Sequence, residues 1–225
     1  MASLHIDLNA DLGETTAGNP VADDAAMLEM VSSANVATGF HAGDPHSIAQ
    51  TLKAAARAGV TVGAHVGYND PAGFGRRFID YNPAELADEV TYQIGALDAL
   101  ARANGTRVSY VKPHGAMYNT IVTHEAQAKG VIAGIKAFGD LPVMLLPGGL
   151  AVDIAKSQGL TVIREAFADR NYNPDGTLVS RTQDNAVLRD EGDVAKRVLE
   201  VAQTGSITAI DGTTLNVDAQ SVCTH

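Results

Sequence analysis

The sequence predicts an α/β protein whose parallel strands close into an irregular seven-stranded barrel. Strand and helix patterns alternate six times along the 225 residues, with no linker and no shift in composition. Polar residues of the kinds that active sites use follow at least five of the predicted strands. An open sheet binds ligands mainly at one switch point, whereas every strand end of a barrel reaches the centre. We therefore expect a single barrel domain over residues 1–225.

The first predicted strand, residues 4–9, alternates apolar and polar side chains and carries Asp7 and Asn9 on its polar face. Asp11 and Glu14 follow in the next turn. Four polar groups within eight residues are typical of a general base or of a set of metal ligands. The alternative is turn chemistry, since Asp and Asn side chains often satisfy the backbone of turns.

The position of His41 is predicted from the strand before it and the helix start after it. Residues 35–38 predict a short buried strand, and Asp44 followed by Pro45 is a strong start for a helix over residues 45–58. His41 is therefore expected at the carboxyl end of a strand, on the turn that leads into a helix. In α/β proteins this edge is where catalytic residues are placed.

Two further histidines repeat this arrangement. The predicted strand at residues 61–64 leads to His65, and the predicted strand at residues 109–112 ends just before His114. Each histidine alone has an alternative interpretation as a packing residue. Three histidines in equivalent turns indicate instead a common site.

Cationic residues are expected at the same edge. Lys112 ends its strand, where it suits the stabilisation of an oxyanion or a phosphate; the alternative is a buried ion pair with Glu165 or Asp7. Arg77 and Arg170 lie in two long polar loops, each with another arginine nearby, and suit the binding of a carboxylate or phosphate. Ordinary surface arginines are the alternative.

The remaining elements complete the alternation. The loops at residues 67–77 and 166–181 are long and polar, which is typical of binding loops. Residues 211–212 predict a hairpin turn. The other predicted elements are helices at residues 23–31, 82–104, 123–137, 150–157 and 193–203 and strands at residues 142–146, 161–165, 206–210, 214–217 and 221–225, the last ending at His225.

Composition excludes several classes of function. A formal net charge of −10 argues against nucleic acid or an anionic membrane as partner. No apolar run approaches the ~18 residues of a membrane span. A single cysteine, Cys223, forms no intrachain disulfide, and no signal-peptide pattern opens the chain, so we expect a cytoplasmic protein. P-loop, Rossmann and Gly-x-Ser-x-Gly patterns are absent, which disfavours a P-loop nucleotide site and covalent serine catalysis.

Seven short motifs lie between residues 7 and 181. They are DLNADLGE at 7–14, ANVATGFHAGDP at 34–45, VGAH at 62–65, GFGRR at 73–77, VKPHGAMYN at 111–119, EAFADR at 165–170 and LVSR at 178–181. Together they resemble the A-subunit family of the ATP-hydrolysing 5-oxoprolinases, also called the LamB/YcsF lactam-utilisation family. That family usually has Cys where Thr38 stands and Pro where Val66 stands. It also continues beyond the position of His225, so we expect the closing C-terminal helix of the barrel to be missing here.

The resemblance implies an irregular (β/α) barrel similar to the glycoside hydrolase/deacetylase barrel group. It also implies a hydrolase that acts on the C–N bond of a cyclic amide (EC 3.5.2.9). Such a protein opens 5-oxo-L-proline to L-glutamate with ATP as cosubstrate and with 5-oxoprolinase subunits B and C as partners; a homo-oligomer is a further option. The alternatives are a metal-dependent deacetylase or amidohydrolase acting alone and a non-catalytic metabolite-binding subunit.

Water attack on an activated lactam needs a base, an acid for the ring nitrogen and cations for phosphate and carboxylate. On this hypothesis the expected catalytic residues are Asp7, Asp11, His41, His65, Lys112 and His114. The expected substrate-binding residues are Asn9, Glu14, Asp44, Arg77, Glu165 and Arg170. A divalent metal is a further option, with Asp11, His41 and His65 as ligands.

Overall fold

Seven parallel strands form a closed barrel, which confirms the predicted fold class. The computed structural model describes residues 5–224. The barrel strands are β1 (Asp7–Leu12), β2 (Ser33–Ala37), β3 (Thr61–Val66), β4 (Val108–Pro113), β5 (Val143–Leu145), β6 (Val162–Phe167) and β7 (Ser221–Cys223). Each strand pairs with the next along the chain, and β7 closes the barrel by pairing with β1.

Helices cover the outside of the barrel. They are α1 (Asp24–Leu28), α2 (Pro45–Ala58), α3 (Pro83–Ala103), α4 (Gly115–Thr120), α5 (Glu125–Phe138), α6 (Leu150–Ser157) and α7 (Glu191–Thr204). None of these helices is both long enough and apolar enough to cross a lipid bilayer. Two small antiparallel hairpins lie outside the barrel, Thr15–Thr16 with Asn19–Pro20 and Ser206–Thr208 with Thr214–Asn216.

The observed boundaries differ from the predicted ones mainly in two places. β1 begins at Asp7 rather than at residue 4 and continues to Leu12, because its pairing with β7 starts at Asp7 and its pairing with β2 starts at Asn9. Residues 115–120 form α4, a helix that the sequence did not predict. The predicted end of the last strand, His225, lies outside the described residues.

The centre of the barrel is polar. Along β1 the odd-numbered residues point inward, while the even-numbered ones pack among the apolar side chains beneath the helices. The amide of Asn9 donates to Glu165 Oε1 at 3.1 Å and to Ser221 Oγ at 2.7 Å. Asn35 Nδ2 donates in turn to Asn9 Oδ1 at 2.7 Å. Since buried polar groups cost free energy unless they are paired, this network specifies one arrangement of the strand ends.

The start of α2 agrees with its sequence signals. Asp44 accepts hydrogen bonds from the backbone N–H groups of His46 at 2.9 Å and Ser47 at 3.0 Å. Ser47 Oγ accepts from the backbone N–H of Asp44, which completes a capping box. Gly59, with φ of 70°, ends the helix in the left-handed region. The turn that carries His41 is therefore fixed on its helical side.

Candidate active site

A cavity of about 570 Å³ opens at the carboxyl end of the barrel. Its volume lies within the range of small-molecule sites. It is bounded by the ends of four barrel strands, by α4 and by parts of both long loops. Its charged and imidazole lining consists of Asp11, Glu14, His65, Arg76, Lys112, His114, Arg170 and Arg181. The predicted meeting of residues from distant strand ends is therefore observed.

Asp11 and His65 meet near the carboxyl ends of β1 and β3, which both pair with β2. Asp11 Oδ2 lies 3.1 Å from His65 Nε2. Asp11 Oδ1 accepts from Asn35 Nδ2 at 2.8 Å and from Lys112 Nζ at 3.2 Å. The carboxylate is thus oriented by three partners, with one oxygen directed at the imidazole.

Glu14 and three histidines form a compact group beside Asp11, which we call the histidine cluster (Glu14, His41, His65 and His114). One nitrogen or oxygen from each of its members lies within 4.8 Å of the others. Glu14 Oε1 is 3.0 Å from His41 Nε2 and 3.5 Å from His114 Nδ1. Imidazole and carboxylate are the ligand types that Zn²⁺ and Mn²⁺ accept. The group adds Glu14 and His114 to two of the three metal ligands expected from the sequence.

The hydrogen bonds of His65 and His114 determine where their protons lie. His65 Nδ1 is 3.0 Å from the carbonyl oxygen of Lys112, and His114 Nε2 is 2.8 Å from that of Phe74. A carbonyl oxygen only accepts, so we assign the protons to these two nitrogens. In neutral rings the opposite nitrogens, His65 Nε2 and His114 Nδ1, then both present lone pairs, and they lie 3.0 Å apart.

This arrangement is repulsive without a cation. Asp11 Oδ2, a third acceptor, also lies 3.1 Å from His65 Nε2. Three acceptor atoms therefore converge with no donor among them in the neutral state. An extra proton between these atoms or a metal ion bound by the histidine cluster would remove the repulsion. The nitrogen and oxygen atoms of the cluster suit either the proton or the metal ion.

His41 lies behind His114 and does not line the cavity. The two rings are stacked, with centroids 3.7 Å apart and planes inclined by 7°. Burial, followed by the charge of His65, lowers the pKa of His41 well below its usual range. Burial, followed by His41, lowers the pKa of His114 in the same way. Both rings are therefore neutral near pH 7, and His41 supports His114 from behind.

Lys112 forms the buried ion pair that was one of the two sequence alternatives. Its Nζ lies 2.7 Å from Glu165 Oε1 and 3.2 Å from Asp11 Oδ1. Burial opposes its charge, but Asp11, Cys223 and Glu165 outweigh this effect and raise its pKa well above the usual value. Lys112 is therefore a permanent cation between two carboxylates, and its side chain also lines the cavity.

Arg76 lines the cavity, and its neighbour Arg77 does not. The Arg77 side chain is 66% exposed and is ion-paired with Asp70, which accepts from Arg77 Nε at 3.1 Å. The Arg76 guanidinium instead lies 4.9 Å from the centre of the Phe74 ring. Arg76, and not the expected Arg77, is thus the arginine of this turn that faces the cavity, because successive residues of the turn point in different directions.

Asp7, expected among the catalytic residues, lies at the other end of β1. It precedes Asp11 by four residues, which corresponds to about 13 Å along a strand. Its carboxylate accepts from the hydroxyls of Ser32 at 2.6 Å, of Ser33 at 2.7 Å and of Ser221. These bonds join three strands at the amino end of the barrel, so Asp7 has a structural role.

Besides Arg77, three further expected substrate-binding residues lie outside the cavity lining. Asp44 caps α2. Asn9 and Glu165 are fully buried beneath the cavity, and both contact Lys112. Of the expected residues of this kind, only Glu14 and Arg170 line the cavity.

Sequence reasoning missed the contribution of α4 to the cavity. Tyr118 and Asn119 of this helix line it, and the Tyr118 hydroxyl is buried. Burial, followed by Glu165, raises the pKa of Tyr118 well above its usual value. The available signal was Gly115 directly after His114, since this glycine has a φ of 52° and allows the strand to turn into the helix. A helix of six residues shows too little periodicity to be predicted.

Gly75 allows the loop at residues 67–77 to close over the cluster. It has a φ of 61°, and a Cβ atom there would lie 2.7 Å from His41 Cβ and 2.8 Å from His114 Cδ2. We expect Gly75→Ala to lower the free energy of unfolding by roughly 2–5 kcal/mol, from backbone strain together with overpacking. Urea unfolding measures this change.

Gly59→Ala is the matched control. Gly59 has a φ of 70°, but a Cβ atom there would meet nothing within 4 Å. Its substitution should cost only the strain, about 1–2 kcal/mol. Equal losses in the two variants would show that the cluster tolerates displacement of the loop and would contradict the tight packing described above.

The fold and the cavity together define an α/β-barrel protein with a centre of histidines and carboxylates at the carboxyl edge of its strands. The sequence pattern of the LamB/YcsF family matches residues 6–225. The chain belongs to this family.

Named relatives agree with that assignment. The chain is similar to the A subunit of 5-oxoprolinase from Corynebacterium jeikeium, with 73% identity over 225 residues, which cover 100% of this chain and 87% of the relative. It is 58% identical to the A subunit of 5-oxoprolinase from Kocuria rhizophila over 98% of this chain and 88% of that protein. Among solved structures, a lactam utilization protein from Thermus thermophilus has a TM-score of 0.93 at 39% identity, over 98% of this chain and 90% of that one.

Proposed function

We propose that this chain is the subunit of an ATP-dependent 5-oxoprolinase in which the ring of 5-oxo-L-proline is opened to L-glutamate. ATP is the cosubstrate of the complex, and subunits B and C are the partners. The names of the relatives support a 5-oxoprolinase role. The observation that carries the hydrolytic role is the convergence of Asp11, Glu14, His65 and His114 on one cavity.

The chemistry explains why these groups are needed. A lactam is a resonance-stabilised amide, and ring closure of glutamate is entropically easy, so opening must be coupled to ATP. Phosphorylation of the lactam oxygen by the complex would activate the ring carbon. Water then attacks that carbon, the C–N bond breaks as the ring nitrogen takes up a proton, and hydrolysis of the acyl phosphate that remains releases glutamate and inorganic phosphate. The site must therefore remove one proton and deliver another.

The Asp11–His65 pair is the proposed base. Asp11 Oδ2 and His65 Nε2 lie 3.1 Å apart, and both residues line the cavity. Lys112 Nζ lies 3.2 Å from Asp11 Oδ1, so it pairs with this carboxylate and offers positive charge to a developing oxyanion. His114 Nδ1 carries no proton in the neutral ring and lies 3.0 Å from His65 Nε2, so it is proposed to receive the proton that His65 takes from water and to pass it to the ring nitrogen. General acid–base catalysis of this kind increases a reaction rate by ~10²–10⁴-fold.

The histidine cluster also suits a divalent cation. The ion would be held by Glu14, His41, His65 and His114. Their ligand atoms converge within 4.8 Å, and two of these atoms, His65 Nε2 and His114 Nδ1, face each other with lone pairs and no donor between them. A bound divalent ion would polarise the substrate oxygen and lower the pKa of water. With such an ion bound, His65 and His114 would serve as ligands, while Asp11 and Lys112 would keep their proposed roles.

Reconstitution tests the proposal. Purified chain is combined with subunits B and C, ATP and 5-oxo-L-proline, and glutamate is measured over time. Glutamate is expected only when the chain and ATP are both present. Equal glutamate formation without the chain would contradict the proposal.

The histidine cluster favours a second candidate, a metal-dependent amidohydrolase that acts alone. This candidate predicts one equivalent of Zn²⁺ or Mn²⁺ per chain and amide hydrolysis without ATP or partners. Metal analysis of the purified chain and hydrolysis assays before and after chelation distinguish the two. Metal binding with strict dependence on ATP and partners supports the 5-oxoprolinase role.

A further inference from the structure

Positive charge is concentrated in one part of the cavity. Arg76, Arg170 and Arg181 all line it, and Arg181 contributes to lowering the pKa of both of the others. Three like charges within mutual reach are unfavourable unless a negative group balances them. Across residues 5–224, no carboxylate forms an ion pair with Arg76 or Arg181, whereas Arg77 and Arg164, for example, are both paired.

Arg170 positions the segment of residues 177–186, which carries Arg181. Arg170 is 5% exposed, and its guanidinium donates to the carbonyl oxygens of Val179 at 2.6 Å and Ala186 at 3.3 Å. Burial, followed by Arg181, lowers its pKa to about 10. The backbone N–H of Val179 donates to the carbonyl of Asn171 at 2.9 Å, which attaches the same segment a second time. Arg170 is therefore a positioning residue.

The segment offers more than one kind of anion contact. Ser180 and Thr182 line the cavity beside Arg181, and the hydrogen bond between their hydroxyls, at 2.8 Å, uses only one of the two O–H donors. Hydroxyl groups and guanidinium groups are the donors that bind carboxylates and phosphates in proteins. Guanidinium in particular matches the geometry of two oxyanion oxygens at once.

Arg76 connects this region to the histidine cluster. Its guanidinium lies over the ring of Phe74, and the carbonyl of Phe74 accepts from His114 Nε2 at 2.8 Å. The charges of Asp11 and Glu14 also act on Arg76. An anion bound by Arg76 therefore lies beside the acid–base groups, where the reacting end of the same molecule can reach them.

We propose that Arg76 and Arg181 form an anion subsite that binds the negatively charged group of the substrate, a carboxylate or a phosphoryl group. The inference rests on the proposed function and assigns the recognition of an anionic group of the substrate to these two arginines. A neutral lactam of the same ring size is then a poor ligand, because it leaves the two guanidinium groups unbalanced.

Calorimetric titration of the full chain, without partners, tests the subsite with three probes. They are 5-oxo-L-proline, 2-pyrrolidinone, which has the same ring without the carboxylate, and inorganic phosphate. The wild type is expected to bind at least one of the two anions and to bind 2-pyrrolidinone far more weakly. Arg76→Gln and Arg181→Gln are each expected to weaken anion binding about 10- to 100-fold.

Arg107→Gln is the matched control. It removes the same charge from an exposed side chain just before β4, at the opposite end of the barrel, and should leave binding unchanged. If the two arginine variants bind only 5-oxo-L-proline more weakly, the subsite is assigned to the carboxylate. If they bind only phosphate more weakly, it is assigned to a phosphoryl group.

Three results would overturn the inference. The first is a wild type that binds neither anion, the second is equal affinity for 2-pyrrolidinone and 5-oxo-L-proline, and the third is unchanged anion affinity in both variants. Failure of the proposed function is recognised separately, since intact anion binding without glutamate formation in the reconstituted complex rejects the reaction and retains the subsite.

Discussion

Replacing His65 with alanine is expected to lower glutamate formation from 5-oxo-L-proline by ~10²–10⁴-fold when subunits B and C and ATP are present. His65 is the residue at which the acid–base groups meet, since its Nε2 lies 3.1 Å from Asp11 Oδ2 and 3.0 Å from His114 Nδ1. Without this imidazole, proton transfer between its two neighbours is interrupted. Initial rates of glutamate release at saturating ATP measure the loss, and Asp11→Ala should give a loss of the same order.

His46→Ala provides the control for this experiment. His46 is exposed on the first turn of α2, and its side chain does not line the cavity. Its substitution should leave the rate unchanged. Thermal unfolding of all variants separates lost chemistry from lost structure. A folded His65 variant with full activity would reject the site and favour the non-catalytic metabolite-binding subunit.

Replacing Lys112 with methionine is expected to lower the free energy of unfolding by about 3–5 kcal/mol, because it removes one partner from a buried ion pair. Glu165 is 0% exposed and would lose the cation that balances its carboxylate. Asp11 would lose the same neighbour, so glutamate formation should fall as well. Urea unfolding monitored by circular dichroism measures the change in stability.

Two further variants decide whether the loss arises from the unpaired carboxylate. Lys112→Met combined with Glu165→Gln removes both charges and should recover at least half of the lost stability. Lys129→Met removes a cation from the exposed pair with Glu125 on α5, where both side chains are more than 60% exposed, and should change stability little. A double variant no more stable than Lys112→Met would contradict this account.

The barrel and its strand-end histidines were predictable because both depend on short-range patterns. Strand–helix alternation forces parallel strands to place their carboxyl ends together, so His65 and His114 had to approach one another once the barrel closed. Asp11 was predictable for the same reason. The catalytic roles of these residues remain predictions.

Other features of the site depend on geometry that no local pattern carries. Asp7 and Asp11 lie on the same face of β1, but only Asp11 reaches the cavity. This difference depends on where along β1 the pairing with β7 and β2 begins. Arg76 and Arg77 are equivalent in sequence, and only the ion pair with Asp70 separates them. The opposing lone pairs of His65 and His114 follow from two backbone carbonyls, which a sequence cannot position.

The left-handed backbone at Phe74, with φ of 54°, links two tasks in one residue. Its carbonyl sets the tautomer of His114, while its ring supports the guanidinium of Arg76. Redesigning this turn to admit a different ligand would therefore also change how the reaction rate depends on pH. Selectivity and pH optimum would have to be engineered together, and a library that varies residues 74–76 should be screened at several pH values.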